Sequence, residues 1–301
     1  MSQTTVPPNQ SGNAANEALV QSAIQEIRHI ATLPEVTLKI IRLVEDANST
    51  AQDLNNVISH DPALGARILK VVNSAFYGLP GQIGSINRAI VLLGMNAVKN
   101  IAIAASLAKL FRGGQICEEF NARDLWTHSI SVAACTRLLS KEVKLGLPDE
   151  AFLAGLIHDL GIMVEMQAKR NEFAEVFATL KANPQMSFRE AEMKCIGATH
   201  EEFGAALCKS WKFPASFAYV TGYHHHPMDV HEKNRGLPGL VHIADIIAAK
   251  NEMGFTQTVE TDVFNPKLLE SLGLTREQVD SITEELPGAI EEASTLLQDA
   301  A

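Results

Sequence analysis

The stretch PDEAFLAGLIHDLG, residues 148–161, decides how the chain is read. Phe152, Leu153 and Leu156 give it the apolar weight of a core helix that begins after Pro148 and ends on His158-Asp159. Gly155 lies three residues before His158 and four before Asp159, and its missing side chain leaves room beside both. Gly161 then lets the chain turn away. An imidazole and a carboxylate in such a run are costly unless they are paired, hydrogen-bonded or bound to metal. Side by side at a helix end, they offer one neutral nitrogen and one anionic oxygen to a single cation. That donor pair suits a borderline or hard divalent ion better than a thiolate site would. The competing reading is that Asp159 only hydrogen-bonds a neighbouring backbone group.

Working outward, four more pieces carry the same residue types. His128 opens a helix and shares a face with Val132, Cys135 and Leu139, so it points inward. Alone it would be read as a hydrogen-bonded core histidine. Asp245 sits in GLVHIADIIA, residues 239–248, with Val241 and Ala248 on its face, and an acid in such a run is rare unless compensated. His200 stands at a helix start, before Glu201, Glu202 and Gly204. His224-His225-His226 precede Pro227, which places them at a loop edge. Three successive histidines cannot all face one point, so one or two ligate and the rest are solvated.

The surrounding pattern is helical almost throughout, and the expected fold class is all-α. Strand-like alternation is scarce, and no fixed-period repeat occurs. Thr50 with Asp53 forms a capping-box start, Asp61-Pro62 a second start, and Ser85 caps a short helix that stops near Gly94. Further helices are expected near 122–143, 148–159, 170–182, 187–195, 200–211, 214–224, 238–250, 265–272 and 275–298. Residues 1–16, rich in Pro, Gly, Ser, Asn and Gln, read as a disordered leader. Gly113-Gly114 marks a boundary between an N-terminal helical part, 17–113, and a core that holds the His/Asp set, 114–260. A helical tail, 261–301, follows.

Composition bounds the function. The formal net charge is −10 and no basic cluster exceeds two residues, which argues against nucleic acid as a partner. No apolar run reaches the roughly 20 residues that cross a bilayer, and the N-terminus lacks a basic-then-apolar signal layout. A cytoplasmic protein without a membrane segment is expected. The four cysteines show no CxxC spacing and read as free structural thiols. The acidic stretch near the C-terminus reads as a solvated helix face. Its apolar members Ile282, Leu286, Ile290, Leu296 and Leu297 are the alternative, a partner surface or homodimer contact.

Taken together, His128, His158-Asp159 and Asp245, in that order on inward helical faces, resemble the ligand set of the HD superfamily of metal-dependent phosphohydrolases. His200 and His224 or His225 resemble the extra ligands of binuclear members such as the HD-GYP phosphodiesterases. The first half is similar to the narrower HDOD family. The matching phrases run from Asp61-Pro62-Ala63-Leu64 through Arg67 to Gly78, then Ser85-Ile86-Asn87-Arg88-Ala89-Ile90 and Leu93-Gly94, and Ala151 to Leu156. Trp211-Lys212-Phe213-Pro214 completes them. The resemblance covers roughly residues 25–250. It implies a multi-helix HD-like bundle with an N-terminal helical subdomain. It also implies a bacterial signalling or regulatory module, a divalent metal (one or two ions, with Fe, Mn, Mg and Zn not distinguished), a signalling-protein partner and a nucleotide-like ligand.

The chain departs from the hydrolase pattern. Ile162 follows Gly161, where many hydrolases carry a phosphate-contacting Lys, and Pro227-Met228-Asp229 replaces the Gly-Tyr-Pro signature. Phosphoryl chemistry depends on positioning and charge stabilisation. The expectation is therefore a metal-holding module that binds rather than turns over a ligand. The alternative is an active phosphohydrolase or phosphodiesterase acting on a nucleotide or cyclic dinucleotide, with Asp159 and a metal-bound water at its centre.

Overall fold

The computed structural model describes residues 14–30, 34–46, 48–74, 77–107, 110 and 115–298. It is helical, as the periodicity predicts. Five helices, α2 (Glu35–Glu45), α3 (Ala51–Ser59), α4 (Pro62–Val72), α5 (Ile86–Leu93) and α6 (Met95–Leu107), bury Ile40, Ile41, Leu54, Ile58, Leu64, Ile68 and Val98 among them. Their starts follow local chemistry. Thr50 and Asp53 close a reciprocal capping box, Asp61 accepts from the Leu64 amide at 2.9 Å ahead of Pro62, and Ser85 accepts from the Arg88 amide.

The remainder is built on α7 (Ala122–Glu142), 21 residues long and buried along most of its length. Packed against it are α8 (Pro148–Ile157), α14 (Glu232–Lys250) and α16 (Arg276–Gln298). Behind α8 lie α9 (Leu160–Ala168), α12 (His200–Ser210) and α13 (Ala215–Tyr223), with α1 (Ala14–Ile30) across α9 and α12. The outer pieces are α10 (Arg170–Ala182), α11 (Phe188–Cys195) and α15 (Pro266–Leu272). A two-stranded antiparallel ribbon, β1 (Gln115–Cys117) with β2 (Phe120–Asn121), leads into α7.

Several local expectations need correction. The chain does not turn away at Gly161: α9 starts at Leu160 and runs through it. Gly161 is needed because α12 passes so close that a Cβ would overlap the His200 carbonyl oxygen. Gly155 makes room not for its neighbours' side chains but for α7, whose Ala133 Cα would lie 2.7 Å from an added Cβ. His128 sits in the second turn of α7 rather than at its opening. The helix expected from 238 starts at Glu232, with Pro238 inside it, and Pro287 does not interrupt α16. Residues 1–13 of the expected leader, and Gly113-Gly114, lie outside the described residues. The last three leader residues are helical, and the Asn16 side chain there donates to the Gly197 carbonyl at 2.9 Å.

The 21-residue segment Pro148–Ala168 has the length and composition of a membrane span, contrary to the sequence reading, but its most apolar window is 89% buried within the protein. It is also divided at His158-Asp159, between α8 and α9. On α16, Ile282 and Leu286 are buried, so that face is used within the chain. The side chains of Leu296 and Leu297 lie outside those described. All four cysteines are free, and burial raises the Cys135 thiol far above its usual range and pushes Cys208 up to about 12.

Two substitutions test the packing. Gly161→Ala should cost roughly 3 kcal/mol of unfolding free energy, because the clash is with backbone that cannot give way. Gly288→Ala, on an exposed helical position with nothing within 4 Å, should gain roughly 0.5–1 kcal/mol. Urea melts followed by circular dichroism would measure both, and a harmless Gly161→Ala would contradict the close α9–α12 approach.

Candidate metal centre

Six elements deliver the sequence-predicted residues to one interior point. The second turn of α7 supplies His128, the α8–α9 junction His158 and Asp159, and the first residue of α12 His200. The end of α13 supplies His224 and His225, and the buried face of α14 supplies Asp245. All seven come together. Asp159, His200, His224 and His225 place ligating atoms within 4.8 Å of one another, as do His128, His158 and Asp159, and His158, His224 and Asp245. His226 does not join them. Its side chain is 39% exposed, on the far side of Glu201.

The imidazoles are held from behind. His158 Nδ1–H donates to the Gly155 carbonyl at 2.7 Å, His224 Nδ1–H to Val220 at 3.2 Å, and His128 Nδ1–H to Met253 at 3.1 Å. A carbonyl can only accept, so each Nδ1 carries the proton and each Nε2 is turned to the centre, the usual arrangement behind a metal-bound histidine. His200 Nδ1 lies 2.8 Å from Glu192 Oε1, which orients its Nε2 the same way.

At the centre, Asp159 faces both ways. Its Oδ2 is 3.3 Å from His158 Nε2, and its Oδ1 is 3.3 Å from His224 Nε2 and 3.6 Å from His200 Nε2. Asp245 Oδ1 is 2.9 Å from His128 Nε2 and 3.8 Å from His158 Nε2, and its Oδ2 is 3.9 Å from His225 Nδ1. His225 Nε2 is 3.1 Å from His200 Nε2.

These spacings fit a bound cation. Donors about 2.1 Å from a common ion sit roughly 3–4 Å apart. The buried atoms that lack hydrogen-bond partners point to the same answer. Both Asp159 oxygens, His158 Nε2 and His224 Nε2 are buried without one. Five imidazoles and two carboxylates suit a borderline or hard divalent ion, and no cysteine belongs to the cluster. Without a cation, protons and carboxylates must compensate one another. Burial opposes charge on His158, but Asp159 outweighs it and raises the imidazole to about 9. Burial likewise works against ionised Asp159, yet the neighbouring histidines, His158 foremost, hold it well below the usual carboxylate range. His225 moves the other way, lowered by burial and then by His224 and His200.

The sequence reading missed the supporting layer. Glu192 backs His200, and Glu165 lies beside Glu192; both are fully buried. Burial pushes both carboxyls well above their usual range, and Glu192 adds to the effect on Glu165. His242 Nδ1–H donates to the His224 carbonyl at 2.8 Å. At the outer edge, Arg189 is bidentate to Glu260 (2.9 and 3.1 Å) and reaches the nearly buried Glu201 at 2.9 Å. The cluster itself is sealed. The side chains of His128, His158, Asp159, His200 and His224 are 0% exposed, Asp245 2% and His225 6%.

With that geometry described, the relatives of the chain can be placed. The HDOD domain family matches residues 30–227, well over half of the chain, which takes in six of the seven residues but stops short of Asp245. The fold is similar to an HDOD domain protein of unknown function from Geobacter sulfurreducens (25% identity, TM-score 0.74), with 95% of this chain and 99% of that one covered. It is also similar to a candidate phosphohydrolase from Shewanella amazonensis (25% identity, TM-score 0.71; 93% and 98% covered). An uncharacterised protein of Treponema pallidum is 25% identical over 260 residues, 82% of this chain, and the chain spans 47% of that relative's length. The match over residues 30–227, across both helical halves, makes this chain a member of the HDOD family.

Proposed function

We propose that the protein is a regulatory signal-transduction module whose HD-type core would hold two divalent ions through Asp159 and the side chains around it, and that it binds ligands and partners without turning over phosphoesters. His128, His158 and Asp245 complete one site, and His200, His224 and His225 the other. A bound divalent ion would supply Lewis acidity and lower the pKa of a bound water.

The observation that carries the reading is the sealing of the cluster. A reacting phosphorus must come within roughly 3.5 Å of its nucleophile, and of the seven side chains only His225, 6% exposed, and Asp245, 2% exposed, reach solvent at all. Among the described residues, the surroundings also lack an uncommitted cation for a phosphoryl group. Ile162 is fully buried in the apolar core where many hydrolases carry Lys. Arg189 is already engaged by Glu201 and Glu260. Glu201 and Glu260 together outnumber Arg189 at that edge, which disfavours an anion there.

A second reading, an active phosphohydrolase acting on a nucleotide or cyclic dinucleotide, is favoured by one observation. The full ligand set is present, its imidazoles are aimed inward, and nothing in the cluster has been replaced by an inert residue.

Two experiments follow. Elemental analysis after reconstitution with Mn, Fe, Zn or Mg should find close to two ions per chain in the native protein, about one in His200→Ala and essentially none in Asp159→Ala. Equal loading of all three proteins would contradict that arrangement. In a broad phosphoester panel, the metal-loaded protein should show only background hydrolysis. Turnover on the order of 1 per second or faster, lost in Asp159→Ala, would establish the hydrolase reading instead.

A further inference from the structure

A large cleft lies away from the metal centre. About 1260 Å³ in volume, it opens between the α5–α6 turn and the first turns of α8 and α13. Phe217, 2% exposed, contributes apolar floor, and Asn96 and Asn100 of α6 contribute amides. Asp149 and Glu150 of α8 supply two carboxylates, and no Lys, Arg or His lines the wall. Lys141 of α7 lies near Asp149 but outside that wall.

The rim is apolar and wet. Among the exposed large hydrophobic side chains, Val91 (74%), Leu92 (39%), Leu145 (38%) and Leu147 (47%) belong to the wall or lie within two residues of it. Of these four, Leu147 stands in the wall itself, and an exposed apolar side chain in a concavity suits a contact surface. The volume exceeds the roughly 1,000 Å³ upper range of small-ligand pockets. Interfaces draw their affinity from a few aromatic or aliphatic anchors and Arg.

We infer that this cleft docks a peptide segment of a partner protein, one that seats an apolar side chain on Phe217 and presents Lys or Arg to Asp149 and Glu150. Charge complementarity selects that occupant over an anionic ligand. Each carboxylate has one internal donor, the Tyr77 hydroxyl at 2.8 Å for Asp149 and the Ser216 hydroxyl at 3.0 Å for Glu150. A carboxylate offers about four acceptor positions, so both keep capacity for a cation.

The location also matters. The two helices that begin at the cleft end on metal-centre ligands: α8 leads to His158 and Asp159, and α13 to His224 and His225. The Glu150–Ser216 bond ties their starts together. A docked segment therefore bears on the pair of helices that positions four of the seven inward donors. The inference rests on the module reading for the existence of a partner. Its test involves neither metal nor phosphoester, so the two can fail separately.

The test is selection of a random 12-residue peptide library, displayed on phage, against the full chain. Enriched sequences should pair Lys or Arg with a large apolar residue. A synthetic peptide of that kind should bind at least tenfold more weakly to Asn100→Trp, which fills the cleft, and to Leu147→Ser, which removes an exposed apolar side chain from its wall. Its affinity should fall as salt rises. Thermal melts matching the native protein would confirm that both variants are folded. No enrichment, enrichment of acidic peptides, or affinity unchanged in both variants would overturn the assignment.

Discussion

Asp159 is a carboxylate with no donor of its own, enclosed on every side. Moving an ionised carboxylate out of water costs several kcal/mol even after relaxation, and both of its oxygens lack hydrogen bonds. Imidazole nitrogens surround it at 3.3–3.6 Å, farther than good hydrogen bonds and close to the spacing of ligands around a shared ion. The rest of the core can be understood as the means of keeping those nitrogens in place.

Backbone supplies most of that means. Three imidazoles are anchored through Nδ1 to main-chain carbonyls, so their rotation is fixed by helix geometry rather than by other side chains. The elements approach closely enough for this only where side chains are missing. Gly155 admits α7 to the back of α8, and Gly161 admits α12 to the back of α9. The second layer is polar and buried. Glu192 and Glu165 stand behind His200, where burial favours their protonated forms. A buried centre with this much fixed polarity suits a cation.

The helical class and the inward residues were legible because each left a local anomaly. Asp245 in GLVHIADIIA and His158-Asp159 after an apolar helix stand out against their neighbours, and capping chemistry at Thr50, Asp61 and Ser85 marked real helix starts. Helix α9 was hidden because Gly161 reads as a terminator, and only the proximity of α12 explains it. Glu192 was hidden for the opposite reason: in FREAEMKC it is one charge among several, and nothing local says which acid is buried. Glu165 carried the same signal as Asp245, an acid between Val164 and Met166, and was within reach of the same argument. The cleft could not be read from the chain at all, since its walls come from three distant stretches.

The cleft and the metal centre lie at opposite ends of α8 and α13. The most direct measurement of the metal centre is anomalous X-ray scattering from crystals of metal-reconstituted protein, collected at the absorption edge of the added ion. The account predicts density on either side of Asp159, within about 2.0–2.2 Å of its oxygens and the inward Nε2 atoms. No anomalous peak there after reconstitution, with His158 and Asp159 simply paired with each other, would contradict it.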